Sequence, residues 1–196
     1  MKRIEIALAS IATLALVFIF WPFPGSKEIF AFTITILSII YFYLGFILLN
    51  NIRLRAIFKK TSYGQTTRTN IILAIISGVV VSQLLVGILF KLLFLPGAHE
   101  MLTIGLIFSG LVIISILVIK KFNNYDFKGI FARLIPAFII AFVLYNFTSS
   151  SLIRFIYRNY PDYAEAYIDS LNNPGDKELE KREHEEYEKM FKKFKE

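Results

Sequence analysis

The chain has 196 residues, 56% of them apolar and none of them cysteine, with a formal net charge of +7. Its mean hydropathy of +0.58 comes from unbroken apolar runs, the composition of a membrane protein and not of a soluble domain with a patterned core. The lack of cysteine excludes disulfides, thiolate metal sites and thiol catalysis. The two histidines, His99 and His184, place no haem ligand or imidazole pair inside an apolar run.

Five runs approach the roughly 20 residues needed to cross the hydrocarbon as helix: residues 4–20, 29–49, 70–95, 101–119 and 130–147. The first follows Lys2 and Arg3 and so resembles a signal peptide. It exceeds the usual h-region of about 7–15 residues, and no small-x-small cleavage site follows Phe20, so it reads as a retained helix. Trp21, Pro22 and Phe23 then form an interfacial anchor.

Between the first and second runs stands a turn that occurs again between the third and fourth. Phe18, Pro24, Gly25, Ser26 and Glu28 align with Phe90, Pro96, Gly97, Ala98 and Glu100 at a constant offset, which also aligns Ser10 with Ser82 and Leu16 with Ile88. The pattern predicts a duplicated two-helix hairpin with Pro-Gly (PG) turns at Pro24, Gly25 and Pro96, Gly97.

Beyond the second run, residues 51–60 interleave Arg53, Arg55, Lys59 and Lys60 with Leu54, Ile57 and Phe58. This segment reads as an extension of helix along an anionic leaflet, where each cation contributes about 1 kcal/mol. In the third and fourth runs, Gly78 with Ser82 and Gly105 with Ser109 have the spacing that lets helix backbones approach closely. Gln83 fits an interhelical hydrogen bond, with a polar pathway through Ser82, Gln83 and Ser109 as the sharper alternative. Lys91 sits four residues before Pro96, close enough to the turn to snorkel, or to pair with Glu100. In the fifth run, Arg133 is expected to snorkel to the interface and Pro136 to be accommodated by neighbouring helices. No Asp or Glu falls inside a predicted span, Glu5 being at the inner edge of the first, which disfavours a proton pump.

Basic residues alternate by side. Lys2 and Arg3, then Arg53, Arg55, Lys59, Lys60 and Arg68, then Lys120, Lys121 and Lys128 flank alternate ends of the runs, while the PG turns hold only Lys27. The positive-inside rule predicts a cytoplasmic N-terminus, outward PG turns and a C-terminus outside. The charge is thus a topology signal, and nucleic acid is not an expected partner.

After the fifth run, Leu152, Phe155, Ile156 and Tyr157 interleave with Arg154 and Arg158 as an interfacial exit. Pro161 opens a short helix with Tyr163, Ala164, Tyr167, Ile168 and Leu171 on one face, ended by Asn172 and Asn173. Asn173, Pro174, Gly175 and Asp176 predict the next helix start, with Asn173 as cap. Its early acids and late lysines match the helix dipole, and Tyr187, Met190, Phe191 and Phe194 form an apolar stripe. That stripe either folds back on the membrane surface or its neighbour, or docks a partner. His184-Glu185 lacks the second histidine of a zinc-protease motif.

Residues 87–106 carry Phe90, Lys91, Pro96, Gly97, Ala98, Leu102, Gly105 and Leu106. This stretch resembles the helical hairpin of the inner-membrane subunit of the gliding-motility and type IX secretion motor of Bacteroidota, and of related multi-pass proteins. The resemblance implies a multi-pass protein of a bacterial inner membrane. The family's acidic residue beyond the Gly-Leu is Ser109 here, and Phe94 stands where His is common, so only the hairpin as an assembly element carries over.

The expected fold is an all-α membrane helix bundle: a hairpin at 1–49, a basic cytoplasmic loop at 50–69, a second hairpin at 70–121, a fifth transmembrane helix at 122–151 and an extracytoplasmic helical tail at 152–196. The favoured function is a non-enzymatic assembly or scaffold subunit without cofactor, held in lipid and joined to itself or another subunit through the hairpins and tail. The alternative is a small-solute transporter or channel component. A membrane enzyme would have to draw on Glu28, His99 and Glu100 in the turns, where the two glutamates already have a structural role at helix starts.

Overall fold

An apolar run in lipid must satisfy its backbone within itself, and each predicted run is a helix in the computed structural model, which describes residues 2–21, 23–50, 68–122 and 127–195. The order is α1 Lys2–Ile19, α2 Ser26–Leu49, α3 Arg68–Leu92, α4 Ala98–Phe122, α5 Lys128–Asn146, α6 Ser149–Ile156, α7 Pro161–Asn172 and α8 Lys177–Lys195. Four of these, α2 to α5, are long and apolar enough to cross a membrane. The sequence suggested five. Helix α1 is the difference, its eighteen residues including Lys2, Arg3 and Glu5. The expected basic helix over 51–60 lies outside the described residues.

The bundle is apolar outside as well as inside. On α4, Ile104, Ile107, Phe108, Leu111, Ile114, Leu117 and Val118 are all exposed, a face that water would penalise and lipid would not. The protein is an all-α membrane helix bundle. At the end bearing the PG turns, Trp21 is 71% exposed, as an interfacial indole would be.

Helix α3 is the centre. It packs on α2, α4 and α5, while α1 leans on α2. The α2–α3 contact is close because it is built on glycine: a Cβ added to Gly78 would lie 2.8 Å from the Tyr41 carbonyl oxygen and 3.0 Å from Gly45 Cα. Further along, Gly87 meets Leu102 and Gly105 meets Leu84, so small residues also seat α4 on α3. Pro136 lies inside α5 without ending it.

The two PG turns have matching geometry. The carbonyl of Phe18 accepts from the Phe23 N–H at 3.0 Å, and that of Phe90 from the Leu95 N–H at 2.9 Å. Gly25 and Gly97 both adopt left-handed backbone, at φ +81° and +79°, and their carbonyls accept from Ile29 and Met101 at 3.1 and 3.0 Å. Glycine meets that conformation without a Cβ clash, which reverses the chain in a few residues.

Helices α6, α7 and α8 form the tail. Helix α6 buries Leu152, Ile153 and Ile156, and α7 buries Tyr163, Ala164, Ala166 and Ile168. The cap of α8 departs from expectation. Asn173 ends α7, its Nδ2 donating to the Asp169 carbonyl at 3.1 Å. Gly175 turns the chain at φ +93°, and the Asp176 carboxylate caps α8 by accepting from the N–H groups of Glu178 and Leu179. A carboxylate next to the first turn also meets the positive end of the helix dipole, which the Asn173 amide would not match.

Candidate functional site

At the PG-turn end, the tail folds back over the bundle. Phe155 of α6 meets Phe20 edge-on at 5.9 Å between centroids, and Tyr167 of α7 meets Phe94 at 5.6 Å. Phe94 is a buried non-glycine residue with positive φ (+56°), a conformation costly for a bulky side chain and held by this packing. Lys27, at the start of α2, lies 5.3, 5.3 and 5.2 Å from the ring centroids of Phe94, Tyr157 and Tyr167. Three ring faces around one ammonium make an aromatic box, each contact contributing about 0.5–2 kcal/mol. The box ties one PG turn to the other and both to the tail. Burial pushes the hydroxyls of Tyr157 and Tyr163 well above the phenol range, and that of Tyr167 to about 12, so all three remain neutral.

A cavity of about 470 Å³ opens between the first PG turn and the tail, lined by Lys27, Glu28, Tyr160, Glu180, Glu183 and His184 among others. Of the turn residues considered for chemistry, Glu28 lines it. His99 instead stacks on Tyr145 of α5 at 4.5 Å, and Glu100 is exposed. The three are not brought to one site.

The stripe of α8 is used within the tail. Tyr187 packs on Tyr163 at 5.7 Å and stacks on Phe191, and Met190 is 8% exposed. Tyr187 and Met190 thus contact the tail itself, and Tyr187 stays 39% exposed. The side chain of Phe194 lies outside the described residues.

The polar residues inside the bundle separate to different neighbours. Ser82 Oγ is 2.9 Å from Ser38 Oγ of α2. Gln83 donates through Nε2 to Met101 Sδ of α4 at 3.2 Å, and the Ser109 hydroxyl donates to the Leu106 carbonyl of its own helix. Ser82 and Gln83 thus fasten α3 to α2 and to α4, while Ser109 bonds within its own helix. Among the described residues no ion pair joins Lys91 to Glu100: Lys91 is 4% exposed and turned inward, while Glu100 faces out across the turn.

At the opposite end stands a cluster missed by single-run reading. Glu5 of α1 is only 6% exposed, and Arg133 of α5 grips it with two nitrogens, Nε to Oε1 and Nη2 to Oε2 at 2.8 Å. The Tyr41 hydroxyl of α2 donates to Glu5 Oε1, and Arg133 Nη1 donates to the Gly129 carbonyl at 2.8 Å. Arg133 therefore does not snorkel alone, and Glu5 is buried and paired instead of sitting free at an edge. The bidentate pair joins α1 to α5, and the Tyr41 hydroxyl adds α2.

Between α1 and α5, and floored by α2 and α3, runs a cleft of about 610 Å³ with this cluster at one end. The chain matches no family model, no curated protein and no solved structure.

Proposed function

We propose that the chain is a non-enzymatic assembly subunit of the cytoplasmic (inner) membrane, crossing it five times, with the N-terminus and basic segments inside and the PG turns and tail outside. The observation that carries this reading is the division of labour among side chains. Ser38, Ser82, Gln83, Glu5 and Arg133 join helix to helix inside the bundle, and the outward face of α4 is an apolar stripe that no described residue of the chain covers. Helix α1 joins the spans because its three charges sit in its first turn, and its remaining apolar length ends at a PG turn like that of the second hairpin. The matched turn geometry supports duplication of the hairpin. The resemblance of residues 87–106 to a motor-subunit hairpin of Bacteroidota supports the second hairpin, α3 and α4, as the unit that meets another subunit.

The native sequence has no cysteine, so a single introduced thiol reports without background. With Ile107→Cys or Leu111→Cys on the exposed α4 face, oxidative cross-linking in intact membranes is expected to give a discrete dimer or a discrete adduct with a second protein. Monomer alone from both positions, with the protein folded, overturns the assembly role.

A further inference from the structure

The cavity between the first PG turn and the tail carries acids on both of its walls. Glu28 lines it from α2, and Glu180 and Glu183 line it from α8. The one Lys or Arg in the lining is Lys27, which has Glu28 and Glu183 within electrostatic reach and so offsets one of the three carboxylates. Two negative charges remain. The Lys27 ammonium is also drawn aside, because of the three rings around it only Tyr157 lines the cavity. Three cations of α8 are paired elsewhere, Arg182 with Asp169, Lys181 with Glu185 and Lys189 with Glu186, and Lys177 makes no ion pair with Glu180. Glu28 and Glu180 stand in the first turns of their helices, where a carboxylate meets the positive end of the dipole. Glu183 lies beyond the first turn, is half-buried, and has no ion pair among the described residues.

A second, independent observation is Ser26. It is 4% exposed and lines the cavity, and its N–H donates to the Phe23 carbonyl at 3.2 Å, yet its hydroxyl has no hydrogen-bond partner among the described residues. Buried hydroxyls are normally paired. Among the described residues no three carboxylate or imidazole groups are placed to hold a metal ion, so the acids do not make a metal centre. The volume of about 470 Å³ falls within the range of about 300–1,000 Å³ typical of ligand pockets.

The geometry points to a binding site for an aliphatic diamine, one ammonium at Glu28 and the Ser26 hydroxyl, the other at Glu180 and Glu183. Its methylene chain lies along Tyr160 and Tyr187, whose rings also attract a cation. A dication matches the excess of two negative charges, and the hydroxyl and carboxylate acceptors select an ammonium that carries N–H groups over a quaternary one. The inference rests neither on the assembly role nor on the side that the tail faces.

The test is equilibrium dialysis of labelled putrescine against the full chain in a non-ionic detergent. The wild-type protein is expected to bind one putrescine per chain, saturably, and about tenfold more tightly than the fully N-methylated analogue. Glu180→Gln with Glu183→Gln is expected to weaken putrescine by at least about tenfold, and Ser26→Ala to narrow the preference over the methylated analogue. Glu178→Gln, an exposed position of α8 outside the lining, is the charge control and is expected to change nothing. Absence of saturable binding to the wild type overturns the proposal. So does equal affinity for the methylated analogue, or a loss in Glu178→Gln as large as in the double variant. Should the double variant not fold by circular dichroism, Glu28→Gln decides alone, and unchanged affinity there overturns it. A failed cross-linking result at α4 leaves these outcomes unaffected.

Discussion

Arg133→Leu is expected to destabilise the protein by about 3–5 kcal/mol, the largest loss for any single substitution in the bundle. The Glu5 carboxylate is 6% exposed, and its partners are the two guanidinium nitrogens and the Tyr41 hydroxyl. Deleting the cation leaves a buried charge with one neutral donor in contact and only the more distant Lys2 charge to offset it. It must then take up a proton or draw water into the bundle, and either response costs more than the attraction that was lost. Glu5→Leu strands the guanidinium in the same way, leaving it the neutral Gly129 carbonyl and Tyr41 hydroxyl. The double variant Glu5→Leu, Arg133→Leu removes both charges and is expected to recover most of the loss, because an apolar pair of similar volume often replaces a buried ion pair at little cost. Tyr41→Phe removes one hydrogen bond to a charged group and is expected to cost less, about 1.5–3 kcal/mol. Thermal melting in detergent, read by the fraction of folded monomer, ranks the four. Additive losses in the double variant would contradict a direct pairing.

The second large effect is expected at Gly78. A methyl group there would sit 2.8 Å from the Tyr41 carbonyl oxygen and 3.0 Å from Gly45 Cα, both of them backbone atoms that no rotamer change can move. Gly78→Ala must therefore push α2 and α3 apart, costing at least the about 1–3 kcal/mol typical of overpacking. The displacement falls on the residue whose hydroxyl serves Glu5, so the charged cluster loosens with the helix pair. Gly110→Ala in α4 is the control, since nothing lies within 4 Å of the added carbon. There the substitution is expected to be neutral or slightly stabilising through helix propensity. The same melting experiment separates them, and equal stability of the two variants would show that α2 and α3 do not touch at these glycines.

What could be read from the chain is what depends on neighbours in sequence. Helix α3 follows from an apolar run long enough to span, and the reversal at Gly97 follows from Pro-Gly chemistry that only a left-handed residue completes. Contacts between distant residues were less legible. Arg133 considered alone has a sufficient explanation in snorkelling, and Glu5 considered alone is an acid at a helix start. Their pairing across 128 positions appears only when both are placed at the same depth of the bundle. That shared depth was available: Glu5 lies three residues into α1 and Arg133 five into α5, at ends that the charge pattern assigns to one side. Lys27 is the converse case. As the lone cation in the two PG turns it reads as a weak exception to a charge rule, whereas the fold makes it the centre of three rings from the end of α6, from α7 and from the second turn. At Asp176, the local pattern was right that a helix starts there, and the side chain that caps it lies three residues beyond Asn173.

The side on which each end of the bundle lies is tested most directly by thiol labelling in spheroplasts, because the chain contributes no cysteine of its own. Single substitutions at exposed positions serve as reporters: Glu100→Cys and Lys177→Cys at the PG-turn end, Arg3→Cys, Arg68→Cys and Lys120→Cys at the other. With a membrane-impermeant maleimide, the first two are expected to react in intact spheroplasts and the last three only after permeabilisation. Reaction of Arg3→Cys together with Glu100→Cys before permeabilisation, or protection of Lys177→Cys, would contradict a bilayer-crossing bundle whose tail covers its outward turns.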